Sequence, residues 1–261
     1  MSELVDVDRD AMLSAAVAAP SMHNTQPWRF RFAGWLVEVY RDRDRELPAE
    51  DPSRRMLFVS LGAAIFNLRV AAAACGIGSR VRHLVDQRRP DLVAEIELHA
   101  PLTEPLAELA PYVSRRRTNR NPFTDRPVPA KVRVLLGLSS RLEGAELQWL
   151  DKPSRRGWLR MATNDAVTAD DSRARTAERR RWVGGDREFD GVPSRALAAR
   201  NAGGGLVARD LAPAVADALR PAAGFEREPQ LAVLATRYDG PVEWLRAGQA
   251  MERVLVEATA H

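Results

Sequence analysis

The sequence predicts an α+β fold of two pseudo-symmetric halves in one chain, each a sheet packed on a long buried helix, with the second half incomplete. Three observations predict it. Two apolar helical patterns match each other: Leu61–Gly78 reads LGAAIFNLRVAAAACGIG, and Trp244–His261 reads WLRAGQAMERVLVEATAH. Setting Gly62 against Gly248 pairs Ala64 with Ala250, Leu68 with Val254, Val70 with Val256, Ala72 with Ala258 and Ala74 with Ala260. A strand-like segment precedes each pattern. Finally, the first pattern is closed by Gly76 and Gly78, whereas the second reaches His261 with no Gly, Asn or Pro to stop it. The second half is therefore expected to lack the strand that the first places after its helix.

The elements follow in order. Asp8–Ala19 reads as a short amphipathic helix stopped by Pro20, and Ser21–Trp28 as a polar loop stiffened by Pro27. Arg29–Tyr40 has strand composition around Gly34, which suggests a turn or bulge. Asp51-Pro52-Ser53 can cap the helix that runs to about Cys75, apolar almost all round from Leu57 and so central. Val81–Val85 and Leu92–His99 read as strands, and the proline-bearing Ala100–Tyr112 as a link. These divide the chain into residues 1–112 and 113–261. In the second part, Pro127–Leu138 suggests a helix, Ala145–Leu150 a strand, Ser154–Val183 a charged helical stretch and Leu231–Tyr238 a strand. Gly184–Gly224 is rich in Gly, Pro and Ala with little periodicity, which suits a lid.

Composition excludes several classes. The chain has 261 residues, 45% of them hydrophobic and 28% charged, as ordinary globular proteins have. No apolar run is expected to span a membrane, the start MSELVDVDRD is too acidic for a secretory signal, and the expected compartment is the cytoplasm. Cys75 is the only cysteine, which rules out an internal disulfide and a cysteine metal cluster, and it is expected to be a small buried hydrophobe. His23, His83, His99 and His261 show no metal-ligand spacing. The net charge of +4 rests on Arg, since Lys occurs only at Lys131 and Lys152. The cations are interleaved with acids and no helix-turn-helix, zinc-finger or RNP signature occurs, so no nucleic-acid partner is expected.

Two segments could carry chemistry. In RRRTNRNPF (Arg115–Phe123), Arg116, Thr118 and Arg120 alternate; in an extended segment they would project to one side and suit a phosphate. The alternative is a solvated basic linker. In AAPSMHNTQPW (Ala18–Trp28), Ser21, Asn24 and Gln26 offer donors and acceptors for a neutral heterocycle or sugar, and the alternative is a structural turn.

Together, PSMHNTQPW and RRTNRNPF resemble the two signature segments of the FMN-dependent nitroreductase fold. With the Asn-Gln loop first, the Arg motif mid-chain and the duplicated helix, the chain resembles the Acg-like branch, in which one chain holds both halves of the nitroreductase dimer. The resemblance covers nearly the whole chain. It implies that Arg116 and Thr118 hold the FMN phosphate, that Arg120 lies near the N1/O2 edge of the flavin, and that Pro20, Ser21, Asn24 and Gln26 contact ring and ribityl. In the family, backbone donors to flavin N5 follow the second buried helix and a further basic phosphate ligand lies nearer the C-terminus. This chain ends before either.

The resemblance implies an oxidoreductase passing electrons from NAD(P)H through FMN to a nitroaromatic or quinone-like acceptor. Two alternatives stand beside it: an FMN-sequestering protein closed by a lid at about residues 184–224, and a degenerate fragment or interaction protein without cofactor. An incomplete second half would leave sheet edges open, so self-association through it is expected.

Overall fold

The computed structural model describes residues 6–84, 88–99, 105–124, 126–151, 153–155, 157–158, 173–197, 199–201, 220–226 and 229–261. Helix α1 (Asp6–Val17) leads through the polar loop to β1 (Trp28–Ala33) and β2 (Leu36–Arg41). These form a hairpin, with Ala33 opposite Leu36. Gly34 has φ +60 and Trp35 does not, the pattern of a II′ connection, which places Gly first. The central helix α2 (Arg55–Ala74) follows, then β3 (Gly78–His83) and β4 (Leu92–His99). The four strands make one antiparallel sheet in the order β1-β2-β4-β3.

Helix α2 is held at both ends by local chemistry. Its N-cap, Arg54, makes no side-chain cap. The expected Asp51 serves instead from three residues upstream, accepting from the backbone N–H of Leu57 at 2.8 Å. At the other end Ile77 N–H reaches Ala72 O and Gly76 N–H reaches Ala73 O, both at 2.9 Å, with Gly76 at φ +73. This is a Schellman closure, and the αL position is why Gly stands there. Between these ends almost every side chain is buried. Contrary to the expectation from sequence, α2 is long and apolar enough to cross a membrane; 83% of that window is buried inside the protein, so it is a core helix.

One face of α2 meets the sheet: Leu61, Ile65 and Leu68 pack with Val37, Val39, Val93 and Ile96. Each such side chain contributes about 1.5–3 kcal/mol. The other face meets Leu106, Leu109 and Val113 across Phe66 and Val70. These come from a 3₁₀ turn (Pro105–Leu109) and the short helix α3 (Ala110–Val113).

The remaining described elements are α4 (Ala130–Arg141), β5 (Glu146–Trp149), α5 (Arg173–Trp182), β6 (Arg200–Asn201), β7 (Ala222–Ala223), β8 (Ala232–Ala235) and α6 (Pro241–Ala260). β5 pairs with β8 antiparallel, and β6 with β7 parallel. Helix α6 covers the predicted terminal pattern and lies against α2, with Leu245 in the main core and Val256 in the second cluster. The α+β class holds. Much of the expected lid, and residues 159–172 of the charged helical stretch, lie outside the described residues; residues 184–197 run through bends, the Val183–Val192 bridge and a 3₁₀ turn at Ser194–Ala196. One expectation fails: Cys75 is exposed, because the C-cap of α2 points it out of the core. Partial burial and neighbouring Asp8 both push its thiol pKa up, so the thiolate is disfavoured.

Candidate functional site

The Asn-Gln loop is a strained segment anchored on α2. His23, Asn24 and Gln26 all adopt left-handed backbone, with φ of 50, 55 and 51. Side chains there cost of order 1–3 kcal/mol each and persist only where the surroundings impose them, often at functional sites. Here Ser21 is the organiser: its Oγ accepts Gln26 N–H and its carbonyl accepts Asn24 N–H, both at 2.9 Å. Pro27 and Trp28 then enter β1 buried.

A segment from the second part of the chain covers this loop. Asn24 Nδ2 donates to Gly191 O at 3.0 Å, and Gly191 N–H donates to Asn24 O at 2.9 Å. Gln26 Nε2 donates to Phe189 O at 2.7 Å. Arg45 Nη1 bridges Thr25 O and Asp190 Oδ2, each at 2.8 Å. Helix α5 anchors the same segment: Glu178 Oε2 accepts Glu50 N–H at 2.8 Å, and Arg179 Nε donates to Glu50 Oε1 at 2.8 Å. His23 Nε2 pairs with the other Glu50 oxygen. Burial pushes the Glu50 carboxyl up, but His23 and Arg179 outweigh it and hold it below its ordinary value.

The Arg motif divides three ways. Arg116 is buried beneath the loop, and its Nη2 donates to Ala18 O at 3.0 Å, beside Pro20. Its Nε lies 3.2 Å from Glu252 Oε1 of α6. Thr118 is exposed. Arg120 is half-buried, and burial lowers its pKa, with no carboxylate among the described residues to offset it. The fold thus brings the start of the Arg motif to the start of the Asn-Gln loop. No hydrogen bond or ion pair among the described residues joins Thr118 or Arg120 to that loop.

Two observations fit the phosphate end of a nucleotide cofactor. Arg116 Nε is a buried donor whose neighbour is the Glu252 carboxylate at 3.2 Å, without an aligned hydrogen bond, and Arg120 is a partly desolvated cation with no anionic partner among the described residues. The amides of Asn24 and Gln26 are taken up by residues 189–191, so a ligand drawing on them competes with the chain itself.

Glu252 is the residue that sequence reasoning passed over. It had a signal: Leu245, Gly248, Gln249, Glu252 and Val256 fall on one face of α6, and all are buried. A carboxylate at 0% exposure on a buried helical stripe is the kind of exception that calls for a reason.

No family model matches the chain. Two proteins of Mycobacterium tuberculosis are similar to it, both named "Putative NAD(P)H nitroreductase". One is 32% identical over 255 residues, covering 95% of this chain and 72% of its own length. The other, with the suffix acg, is 30% identical over 262 residues, covering 97% of this chain and 78% of its own length. A solved "putative nitroreductase in complex with fmn" from Desulfovibrio desulfuricans is 20% identical, covering 49% of this chain and 88% of its own, with a TM-score of 0.33.

Proposed function

The chain belongs to the NAD(P)H nitroreductase family, in the branch that includes Acg, and from that premise we propose an oxidoreductase that binds FMN and passes electrons from NAD(P)H to a nitroaromatic or quinone-like acceptor. What supports the reading is one contact above all: the guanidinium of Arg116 bonded to the carbonyl of Ala18 at 3.0 Å. It joins two motifs far apart in sequence at the point where a cofactor would touch both. Bound FMN would supply the redox chemistry.

The residues of the chain bind and orient. In this proposal Arg116 and Thr118 hold the phosphate, Arg116 as a buried charge and Thr118 from the exposed side. Arg120 faces the N1/O2 edge of the ring, where a poorly solvated cation favours negative charge. Pro20, Ser21, Asn24 and Gln26 line the ring and ribityl, the left-handed backbone fixing the direction of Asn24 and Gln26, whose amides would exchange residues 189–191 for the ligand. The site lies between residues 1–112 and 113–261, taken as two nitroreductase-like halves.

A second reading, an FMN-sequestering protein, is favoured by the bonds that residues 189–191 make to Asn24 and Gln26. One experiment separates the two. Purified protein mixed with FMN and passed through gel filtration is expected to retain the visible flavin band. Anaerobic NADPH or NADH is then expected to bleach it, and a nitro acceptor to restore it. A retained band that neither nucleotide bleaches selects sequestration, and no retained band removes both readings.

A further inference from the structure

Three polar side chains meet in the interior and rely mainly on one another. Asn67 of α2 and Glu252 of α6 are fully buried, and Arg116 is 9% exposed. Arg116 Nε lies 3.2 Å from Glu252 Oε1 as an ion pair and the Asn67 amide lies against the same carboxylate, but among the described residues no well-aligned hydrogen bond reaches Arg116 Nε or either Glu252 oxygen. Buried polar groups are nearly always paired, and an ionised carboxylate without hydrogen bonds is costly in the interior. A fully buried carboxylate held only by one guanidinium and one amide is sensitive to any further charge brought to that guanidinium.

The surrounding charges leave Glu252 facing Arg116 alone. From α2, Arg69 closes on Glu143 and Gln249, and Arg55 on Asp239. Arg253, beside Glu252 on α6, also closes on Glu143. From α4, Arg133 lies over the Trp149 ring, Arg141 pairs with Glu146, and Lys131 is exposed. From the 3₁₀ turn, Glu108 is exposed, and α3 carries no charge. Burial pushes the Glu252 carboxyl up to about 7, the attraction of Arg116 and the nearby Asn67 amide offsetting it only in part.

We propose that Glu252 is the proton-accepting partner of phosphate binding: it is the counter-ion of Arg116 while the site holds no phosphate, and it takes up one proton when Arg116 engages a phosphomonoester dianion. Arg116 cannot serve two anions equally. A second negative charge a few ångströms away disfavours the ionised carboxylate, and the neutral acid leaves the guanidinium to the phosphate. The proton comes from solvent and no bond to carbon changes. Glu252 is thus a positioning residue that acts through Arg116. The inference rests on the reading that Arg116 holds the FMN phosphate.

The test is calorimetric titration of the full chain with FMN and with riboflavin near pH 8, in two buffers of different ionisation enthalpy. At that pH the phosphate, with its second pKa near 6, is a dianion free and bound, so it contributes no proton. Wild-type protein is expected to take up close to one proton per FMN and none with riboflavin. Its FMN affinity should fall roughly five- to tenfold from pH 7 to pH 8. Glu252→Gln is expected to take up no proton and to bind FMN with no pH dependence over that range. If wild type takes up no proton, or Glu252→Gln takes up as much, the inference is overturned; the phosphate reading then still stands provided Arg116→Ala weakens FMN binding. If FMN does not bind, or Arg116→Ala leaves its affinity unchanged, both fail. Should Glu252→Gln not fold, the wild-type comparison of FMN with riboflavin decides alone.

Discussion

Gly62 and Gly248 meet where α2 and α6 cross, with no room for a side chain at either. A Cβ at Gly62 would fall 2.1 Å from Leu245 O, and one at Gly248 would fall 2.0 Å from Val59 O. Two 20-residue helices therefore touch backbone to backbone, and this brings Glu252 down onto Asn67 and Arg116. In an exposed helix Gly→Ala gains about 1 kcal/mol. Here the clash is with backbone, which cannot rotate away, and overpacking of that kind costs about 1–3 kcal/mol or more. Gly62→Ala and Gly248→Ala are each expected to lower the unfolding free energy in urea, and a gain in either would deny the close crossing.

Arg116→Ala removes a charge-assisted contact expected to hold the FMN phosphate. The loss should be about 1.5–3 kcal/mol, or roughly 10- to 150-fold in FMN affinity. Riboflavin, which lacks the phosphate, should bind wild type and variant alike. An equal loss for both ligands would mean that Arg116 acts on the fold and not on the phosphate.

Stability against pH carries two opposed slopes. Glu252 has its pKa raised by burial from 4.5 to about 7. A raised value means the folded state keeps a proton that the unfolded chain releases. Its stabilising contribution is complete below about pH 4.5 and is lost as pH rises through 7. His83 is lowered from 6.5 to about 4, by burial first and then by Arg246 and Arg69. Its contribution is complete above pH 6.5 and is lost as pH falls through 4. Each spans an energy of at most about 3 kcal/mol, so between about pH 4.5 and 6.5 they cancel. Urea unfolding across this window is expected to vary little for these two groups in wild type. Acidification should weaken Glu252→Gln and strengthen His83→Gln, and two parallel profiles would contradict the assignment.

Glu50→Ala tests how α5 is fastened. The Glu50 side chain is 3% exposed and bonded to His23 and Arg179. Removing one member of a buried pair typically costs about 3–5 kcal/mol. Its carboxyl is held below the ordinary value, so this contribution is present at neutral pH and lost as pH falls. Loss of amide protection along Arg173–Trp182 in hydrogen exchange is the expected signature, and unchanged protection would locate the anchor elsewhere.

Asp190→Ala addresses the segment over the Asn-Gln loop. Arg45 and Asp190 are each 34% exposed, so their ion pair adds at most about 1 kcal/mol. Global stability should hardly change. Gly191 N–H, bonded to Asn24 O, should nonetheless exchange faster, since its local closing loses a clamp. An unchanged rate would mean that Asn24 and Gln26 hold the segment without help.

The matching helices were legible because glycine spacing and apolar periodicity are local properties of the chain. Gly62 and Gly248 could be paired from the sequence alone, and Asp51 could be named as a cap although it acts from outside the first turn. Arg116, Thr118 and Arg120 were legible as a group, but their separate fates were not. Alternation predicts direction only for an extended strand, and burial of Arg116 depends on where α6 lies. Glu252 was hidden for the complementary reason: its meaning comes from Asn67 and Arg116, distant in sequence. Nor does any local rule forecast that Gly191 would answer Asn24, because a hydrogen bond across 167 positions leaves no periodic trace.

The bond from Arg116 to Ala18 spans 98 positions, and the guanidinium gains its counter-charge only when α6 supplies Glu252. A chain made from its N-terminus can build the hairpin, α2 and the four-stranded sheet from contacts within its first hundred residues. The guanidinium must wait. Contacts of long sequence separation form late and slowly, because loop closure has to precede them. The expected order of assembly is the sheet and α2 first and the Arg116–Glu252 pair last. A nascent chain released before its final helix would hold the shape of the sheet while its buried cation had nothing to balance it.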